Sequence, residues 1–167
     1  MVIDKLIPAM KEKWPSQNLS KEVIFIQQDN AKPHIEADDE SWITACQQQN
    51  VQLTIDCQPP NSPDLNVLDL GFFRAIQSIQ YQKSASSIDE LIFAVETAFE
   101  ELSSESLNDV FLTLQSVLIE ILKYDGGNHF KIPHLGKSSL RRNDALPDCL
   151  DCPDDLIFQY QFRALKL

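Results

Sequence analysis

Glycine is scarce in this sequence, with 4 among 167 residues, and so low a share excludes a collagen-like or glycine-rich linker protein. Long hydrophobic runs are also missing, since no stretch approaches the roughly 18 uninterrupted apolar residues that a membrane-spanning helix needs. Charges at Asp4, Lys5 and Lys11 interrupt the first segment and exclude the hydrophobic run of a signal peptide. We therefore expect a soluble intracellular protein without a membrane partner.

Basic residues are few, because 14 Lys and Arg stand against 25 Asp and Glu, a formal net charge of -11. Such a chain lacks the broad basic surface that attracts nucleic acid. Hydrophobic residues make up 43% of the sequence, enough for a core in one domain of this length. The acids concentrate in the middle, where we expect them on the solvated faces of two helices: Asp89, Glu90, Glu96, Glu100, Glu101, Glu105 and Asp109.

The 4 cysteines form no disulfide framework in a chain without a secretion signal. Cys149-x-x-Cys152 has half of a zinc-ribbon spacing, but no second pair of this kind exists. His129 and His134 precede these cysteines, so they do not supply the missing half. We favour free structural thiols over a zinc site.

The first third of the chain predicts a strand, a helix and a second strand. Apolar positions spaced for a helix occupy residues 3–14, and the run EVIFIQQ at 22–28 has the length and composition of a strand. A helix is expected at 36–49 and a strand at 51–55. A strand, helix and strand within so short a segment indicate a βαβ unit with a parallel strand pair.

The following residues predict helices. Ser62-Pro63-Asp64 is a helix opening, and Ser87-x-x-Glu90 is a capping box. A further helix is expected at about 105–124, ended by Gly126-Gly127. Residues 128–167 lose periodicity, and we expect an irregular tail with a short strand at Leu156–Phe162. The helix after Ser87 is expected to turn these side chains inward: Leu91, Ala94, Val95, Ala98, Phe99 and Leu102.

Two aspartates hold positions from which they could share a divalent cation. Asp29 closes the first strand, and Asp69 lies in the first turns of a helix that follows a proline-stiffened loop. Ligands of open α/β sheets gather at the carboxyl edge of the strands, and carboxylates suit hard cations. The alternative interpretation is that Asp29 caps a turn and that Asp69 is an ordinary exposed acid.

Two longer motifs contain these aspartates. Residues 26–34, IQQDNAKPH, resemble the second-carboxylate motif of mariner-type transposases, and residues 59–69, PPNSPDLNVLD, resemble the third. The 39 residues between Asp29 and Asp69 are similar to the spacing in the plant-type branch that ends in aspartate. The resemblance continues through residues 72–78 and, more loosely, 126–134, and it covers roughly residues 3–140.

This resemblance implies a ribonuclease H-like fold of the α/β class, present in part as a parallel two-strand βαβ unit followed by a helical C-terminal half. Residues 1–125 would be a truncated transposase catalytic domain and 126–167 a tail. The family uses Mg²⁺ or Mn²⁺ to cleave and transfer DNA strands in the nucleus. Carried over by position, Asp29 and Asp69 are the catalytic and metal-binding carboxylates. The auxiliary positions are Asn30, Lys32 and His34, whereas Asp64 is a helix-start acid.

The departure from the family pattern concerns its first catalytic aspartate and its DNA-binding modules. Upstream of Asp29 the acids are Asp4, Glu12 and Glu22, and none lies in the corresponding motif. We therefore expect the C-terminal part of the catalytic domain, with weak metal affinity and no activity alone. Its partners would be transposon-end DNA, a second copy or a full-length transposase. The alternatives are a non-catalytic interaction module retained from a transposon, pairing with a full-length relative or DNA, and a helical scaffold unrelated to DNA.

Overall fold

The computed structural model describes residues 2–14 and 22–164, and it divides the chain into two compact units, Met1–Asn61 and Ser62–Leu167. The first unit contains a parallel strand pair with helices, and the second is helical. The predicted mixed α/β class and the parallel pair are therefore confirmed. The predicted domain limits, 1–125 and 126–167, include residues outside the described ranges and stay a prediction.

The first unit is built in the predicted order. A π-helical turn at Val2–Leu6 continues into α1 at Ile7–Lys13, and Pro8 lies in the first turn of α1. Strand β1 spans Ile24–Gln28, helix α2 spans Glu40–Gln49, and strand β2 spans Leu53–Cys57. The strands are parallel, and their register runs from Ile24 opposite Leu53 to Gln28 opposite Cys57.

The core of this unit lies on one face of the strand pair. Leu53 and Ile55 alternate inward along β2, and they pack in one cluster with the buried residues Ile7, Trp42, Cys46 and Val51. Along β1, Ile24 and Ile26 are half-buried against that cluster, whereas Phe25 is 69% exposed. In the ribonuclease H-like architecture that the resemblance implies, this strand would be central and apolar on both faces. In the part of the chain that is described, β1 instead pairs only with β2 and is covered on one face.

Helix α2 begins four residues later than predicted because Asp39 caps it. The Asp39 carboxylate accepts hydrogen bonds from the backbone N–H of Ser41 at 2.9 Å and of Trp42 at 3.1 Å, and from the Ser41 hydroxyl. At the other end, Asn50 adopts a left-handed conformation with φ of 52°. Both signals are local, and together they set the limits of the helix.

We expect Asp39→Ala to lower the thermal midpoint at neutral pH, since three donors at the start of α2 lose their acceptor. The Ser41 hydroxyl and the Trp42 N–H lower the pKa of Asp39. A carboxylate with a lowered folded pKa stabilises the fold above the ordinary aspartate pKa of about 3.9. This contribution is lost as the pH falls through the folded value, so the difference between wild type and variant should shrink there. Thermal melts across the acid range test it, with exposed Asp38→Ala as control, and a constant difference would contradict it.

The second unit begins with a 3₁₀ turn at Pro63–Leu65 and a π-helical turn at Leu68–Phe72, which continues into α3 at Phe73–Gln80. Helix α4 spans Ile88–Glu100 and α5 spans Ser104–Lys123. Ser87 accepts from the Glu90 N–H at 3.1 Å, as the capping box predicts, while the Glu90 carboxylate reaches back to the N–H of Ser86 at 2.6 Å. After α5, Gly126 takes a φ of 86° and donates to Ile121 O, which closes the helix.

The predicted strand at Leu156–Phe162 is wrong. Helix α6 spans Lys137–Arg142 and α7 spans Asp154–Ala164, so the expected irregular tail contains two helices. Pro153 followed by two aspartates starts α7, and this helix start prevails over the aromatic and β-branched composition that suggested a strand. Leu156, in the first turns of α7, is buried.

Polar contacts hold the C-terminal segment along α5. Arg141 donates to the Asp109 carboxylate at 2.7 Å, which leaves Asp109 half-buried rather than on the solvated face expected for it. Toward the end of α5, the Tyr160 hydroxyl donates to Leu122 O at 3.0 Å. Because these contacts are spread along α5, the segment after Gly136 is an integral part of the second unit.

Helix α4 buries less than its pattern predicted. Ala94 and Ala98 are buried, but Leu91, Val95 and Phe99 are each more than two fifths exposed. The periodicity identifies an apolar arc correctly, yet the part of it that is buried is the alanine side. Among the described residues, no helix is long and apolar enough to cross a membrane.

Candidate functional site

Asp29 stands directly after β1, at the carboxyl end of the parallel pair. Its Oδ1 accepts from the N–H of Ala31 at 2.9 Å, the geometry of an aspartate that closes its own turn. The Nε2 of His34 lies 2.6 Å from the same oxygen. The Ala31 N–H is the main cause that lowers the pKa of Asp29, and His34 lowers it further. The side chain is 45% exposed, so a charged carboxylate is presented to solvent.

The loop after Asp29 is fixed to the strand pair at both of its ends. Asn30 Nδ2 donates to Gln58 O at 2.9 Å, which joins the start of the loop to the segment after β2. Gln28 Nε2 donates to Ile35 O at 2.9 Å and ties the end of the loop back to β1. These bonds give Asn30 a positioning role. Lys32 is exposed within the loop, where its ammonium group is accessible to an anion.

Asp69 lies in the π-helical turn that precedes α3. Its Oδ2 accepts from Asn66 Nδ2 at 2.9 Å, while Asn66 Oδ1 accepts from the N–H of Leu68 at 3.0 Å. Asn66 therefore caps the helix start and at the same time holds the Asp69 carboxylate. Sequence reasoning missed Asn66, although an Asn three residues before an Asp at a helix start is the signal for such a pair.

The predicted catalytic residues fall in different units. Asp29, Asn30, Lys32 and His34 belong to Met1–Asn61, and Asp69 belongs to Ser62–Leu167. The structure brings Asp29 together with His34, and it brings Asp69 together with Asn66. That Asp29 faces Asp69 stays a prediction. Asp64 is half-buried in its 3₁₀ turn, and its predicted separation from the cleft also stays a prediction.

A divalent metal can be tested against this donor set. Asp29 and Asp69 offer hard carboxylate oxygens, which is the donor type that Mg²⁺ and Mn²⁺ prefer. Within residues 2–14 and 22–164, no group of three or more His, Cys, Asp or Glu residues is placed to hold a metal ion. The donors thus fit these ions in type, but two carboxylates are fewer than the family pattern uses.

None of the four cysteines, all of which lie within the described residues, forms a disulfide. Cys46 is buried and Cys57 is exposed. In the C-x-x-C pair, Cys149 is exposed and Cys152 is half-buried. Desolvation raises the pKa of the Cys46 thiol, which is in keeping with a core residue.

Comparisons of this chain with family models, with curated proteins and with solved structures find no match. The likeness to mariner-type transposases therefore rests on the two motifs and on their separation.

Proposed function

We propose that this chain is the C-terminal part of a mariner-like transposase catalytic domain with a ribonuclease H-like fold, in which Asp29 and Asp69 are the second and third catalytic carboxylates. The observation that carries the proposal is the pair of motifs, IQQDNAKPH and PPNSPDLNVLD, in family order at family spacing. The position of Asp29 at the carboxyl end of a parallel strand supports it, because that edge collects ligands in α/β sheets.

The local contacts suit this role. The turn at Ala31 and the contact with His34 engage Oδ1 of Asp29, and no hydrogen bond to Oδ2 is found among the described residues. The Asn66 amide orients Asp69 in a similar way. When bound, magnesium would supply the charge that activates a water and steadies a leaving oxygen. The chain's own part is to hold two ionised carboxylates and to present Lys32, which could contact a DNA phosphate.

The function proposed for this sequence is therefore metal-dependent DNA strand cleavage and transfer by the parent enzyme, and not by these residues alone. Two carboxylates hold a metal more weakly than three. Without the third, strand cleavage also lacks one of the groups that stabilise charge in the transition state. A nuclear location and recognition of transposon ends belong to the same proposal.

Mn²⁺ binding tests the shared carboxylate site. We expect weak binding, observed as loss of the free Mn²⁺ signal in electron paramagnetic resonance, that Asp29→Asn and Asp69→Asn each reduce severalfold. Asparagine keeps an oxygen for the hydrogen bonds from Ala31 and Asn66, so the fold should persist. If the two residues share an ion, the free energy of binding lost in the double variant should be smaller than the sum of the two single losses.

Asp64→Asn removes the same charge from the second motif and serves as the control, with unchanged binding expected. Additive losses in the double variant would show two separate sites and would contradict a shared one. The wild-type chain should not nick supercoiled plasmid in Mg²⁺ or Mn²⁺. Nicking that Asp29→Asn abolishes would mean that another acid supplies the first ligand.

The alternative function, a non-catalytic interaction module that pairs with a full-length relative or with DNA, differs in what it requires. It needs no metal at Asp29, so Asp29→Asn would leave its binding to a full-length transposase unchanged. The genomic sequence immediately upstream provides a further distinction, because an in-frame first-aspartate motif there favours the enzyme.

A further inference from the structure

Helix α4 presents an exposed apolar stripe that the proposed catalytic role does not use. Successive helical residues are about 100° apart, so the five residues of this stripe fall on one arc beside the buried Ala94 and Ala98. The most exposed of them are Ile88 at 77%, Phe99 at 55% and Ile92 at 52%. We call this arc the α4 stripe, and it consists of Ile88, Leu91, Ile92, Val95 and Phe99.

Next to the stripe lies a groove of about 670 Å³. Phe72 of the preceding π-helical turn packs edge-on against Phe99, with ring centroids 6.3 Å apart, so one end of the stripe is rigidly supported. Contiguous exposed apolar surface on a soluble protein commonly serves as an interaction site. The groove is lined by Ile76, Phe93, Val95, Glu96, Phe99 and Glu100, among others.

Charge on α4 has a single sign. Its sequence, IDELIFAVETAFE, contains four carboxylates and no Lys or Arg. Asp89, Glu96 and Glu100 follow the apolar stripe around the helix, so an acidic arc borders it, and all three are exposed. Lys83 pairs with Glu101 at 2.8 Å, beyond the end of the helix, and not with these three carboxylates.

We propose that the α4 stripe and its acidic border bind an amphipathic helix of a partner protein, whose apolar face is flanked by Lys or Arg. A helix in a groove buries its apolar face, and cations along the edge pair with the carboxylates. A second copy fits worse, because its own α4 brings the same carboxylates and no cation. An anionic membrane surface fits worse for the same reason.

The test uses a fluorescein-labelled peptide of about five helical turns, with leucines spaced to form one face and lysines beside it. Fluorescence anisotropy should show binding that Ile92→Ser with Phe99→Ser weakens about tenfold or more. Glu96→Gln with Glu100→Gln keeps the apolar surface, and it should weaken binding severalfold and reduce its salt dependence. Phe158→Ser, at an exposed apolar residue of α7, is the matched control and should bind as wild type.

A second peptide, with glutamate in place of lysine, should not bind. Equal binding by the serine double variant and the wild type would overturn the proposal, because charge alone would then attract the peptide. Tight binding of the glutamate peptide, or of phosphatidylserine vesicles in preference to the lysine peptide, would also overturn it. A wild-type dimer that the same serine double variant dissociates would identify a second copy as the occupant instead.

Discussion

Replacing Trp42 by alanine should unfold the first unit while α5 stays protected. Trp42 is 1% exposed and is the largest side chain in the cluster that joins α1, α2 and β2. Truncation of a buried tryptophan costs about 3–5 kcal/mol, because it removes apolar contacts and leaves a cavity. The total stability of a domain is only about 5–15 kcal/mol, so the loss takes a large part of it.

Hydrogen exchange read by mass spectrometry separates the two units. The amides of Ile24–Gln28 and Leu53–Cys57 should lose most of their protection in Trp42→Ala. The amides of Ser104–Lys123 should keep theirs, since α5 is buried through Leu112 and Val117, outside the Trp42 cluster. Thr44→Ala, at an exposed position of the same helix, is the control and should change stability by about 0.5 kcal/mol or less. Unchanged protection of the strands in Trp42→Ala would contradict the central role of this residue.

Elements with strong local signals could be predicted from the sequence. The βαβ order, the Ser87 capping box and the stop at Gly126 all depend on residues within a few positions of one another, and the structure confirms them. The strand limits were off by two residues. Val51 was placed in the second strand, but it lies before β2 as a buried residue of the connection from α2.

The errors come from two physical sources. At residues 156–162 the composition favours a strand, but the structure has α7 there, because the aspartates after Pro153 stabilise the first turn of a helix. On α4 the apolar arc was identified, but periodicity cannot say which part of an arc meets another element. That depends on long-range packing, which here reaches Ala94 and Ala98 and leaves Phe99 exposed.

For the candidate site, the sequence identified the aspartates and the local loop but not the bonds that hold them. The contact of Asp29 with His34 fits the short loop between them, and Asn66 beside Asp69 was missed. Whether Asp29 and Asp69 share a cleft depends on the arrangement of two units, and no local pattern encodes that arrangement.

The chain should self-associate through the outer edge of β1, and Phe25→Lys should abolish this association. Among the described residues β1 pairs with β2 alone. The backbone N–H and C=O of Phe25 alternate with those that face β2, so at this position the other edge can receive a further strand. Two apolar side chains favour such pairing because they are exposed and would be covered by it: Val23 is 54% exposed and Phe25 is 69% exposed. In a symmetric pair of edges, lysine at position 25 would bring like charges close together and remove apolar contact.

Sedimentation velocity over micromolar concentrations provides the measurement. Wild type should shift to larger species as concentration rises, whereas Phe25→Lys should sediment as a monomer. Phe158→Lys makes the same chemical change at a residue that is 59% exposed and lies on helix α7, away from any strand edge. This variant should therefore associate like wild type. If Phe158→Lys dissociates the chain as well, general apolar contact rather than strand pairing drives the association. A wild-type chain that stays monomeric with a cooperative thermal transition would mean that the edge of β1 is already covered within its own chain.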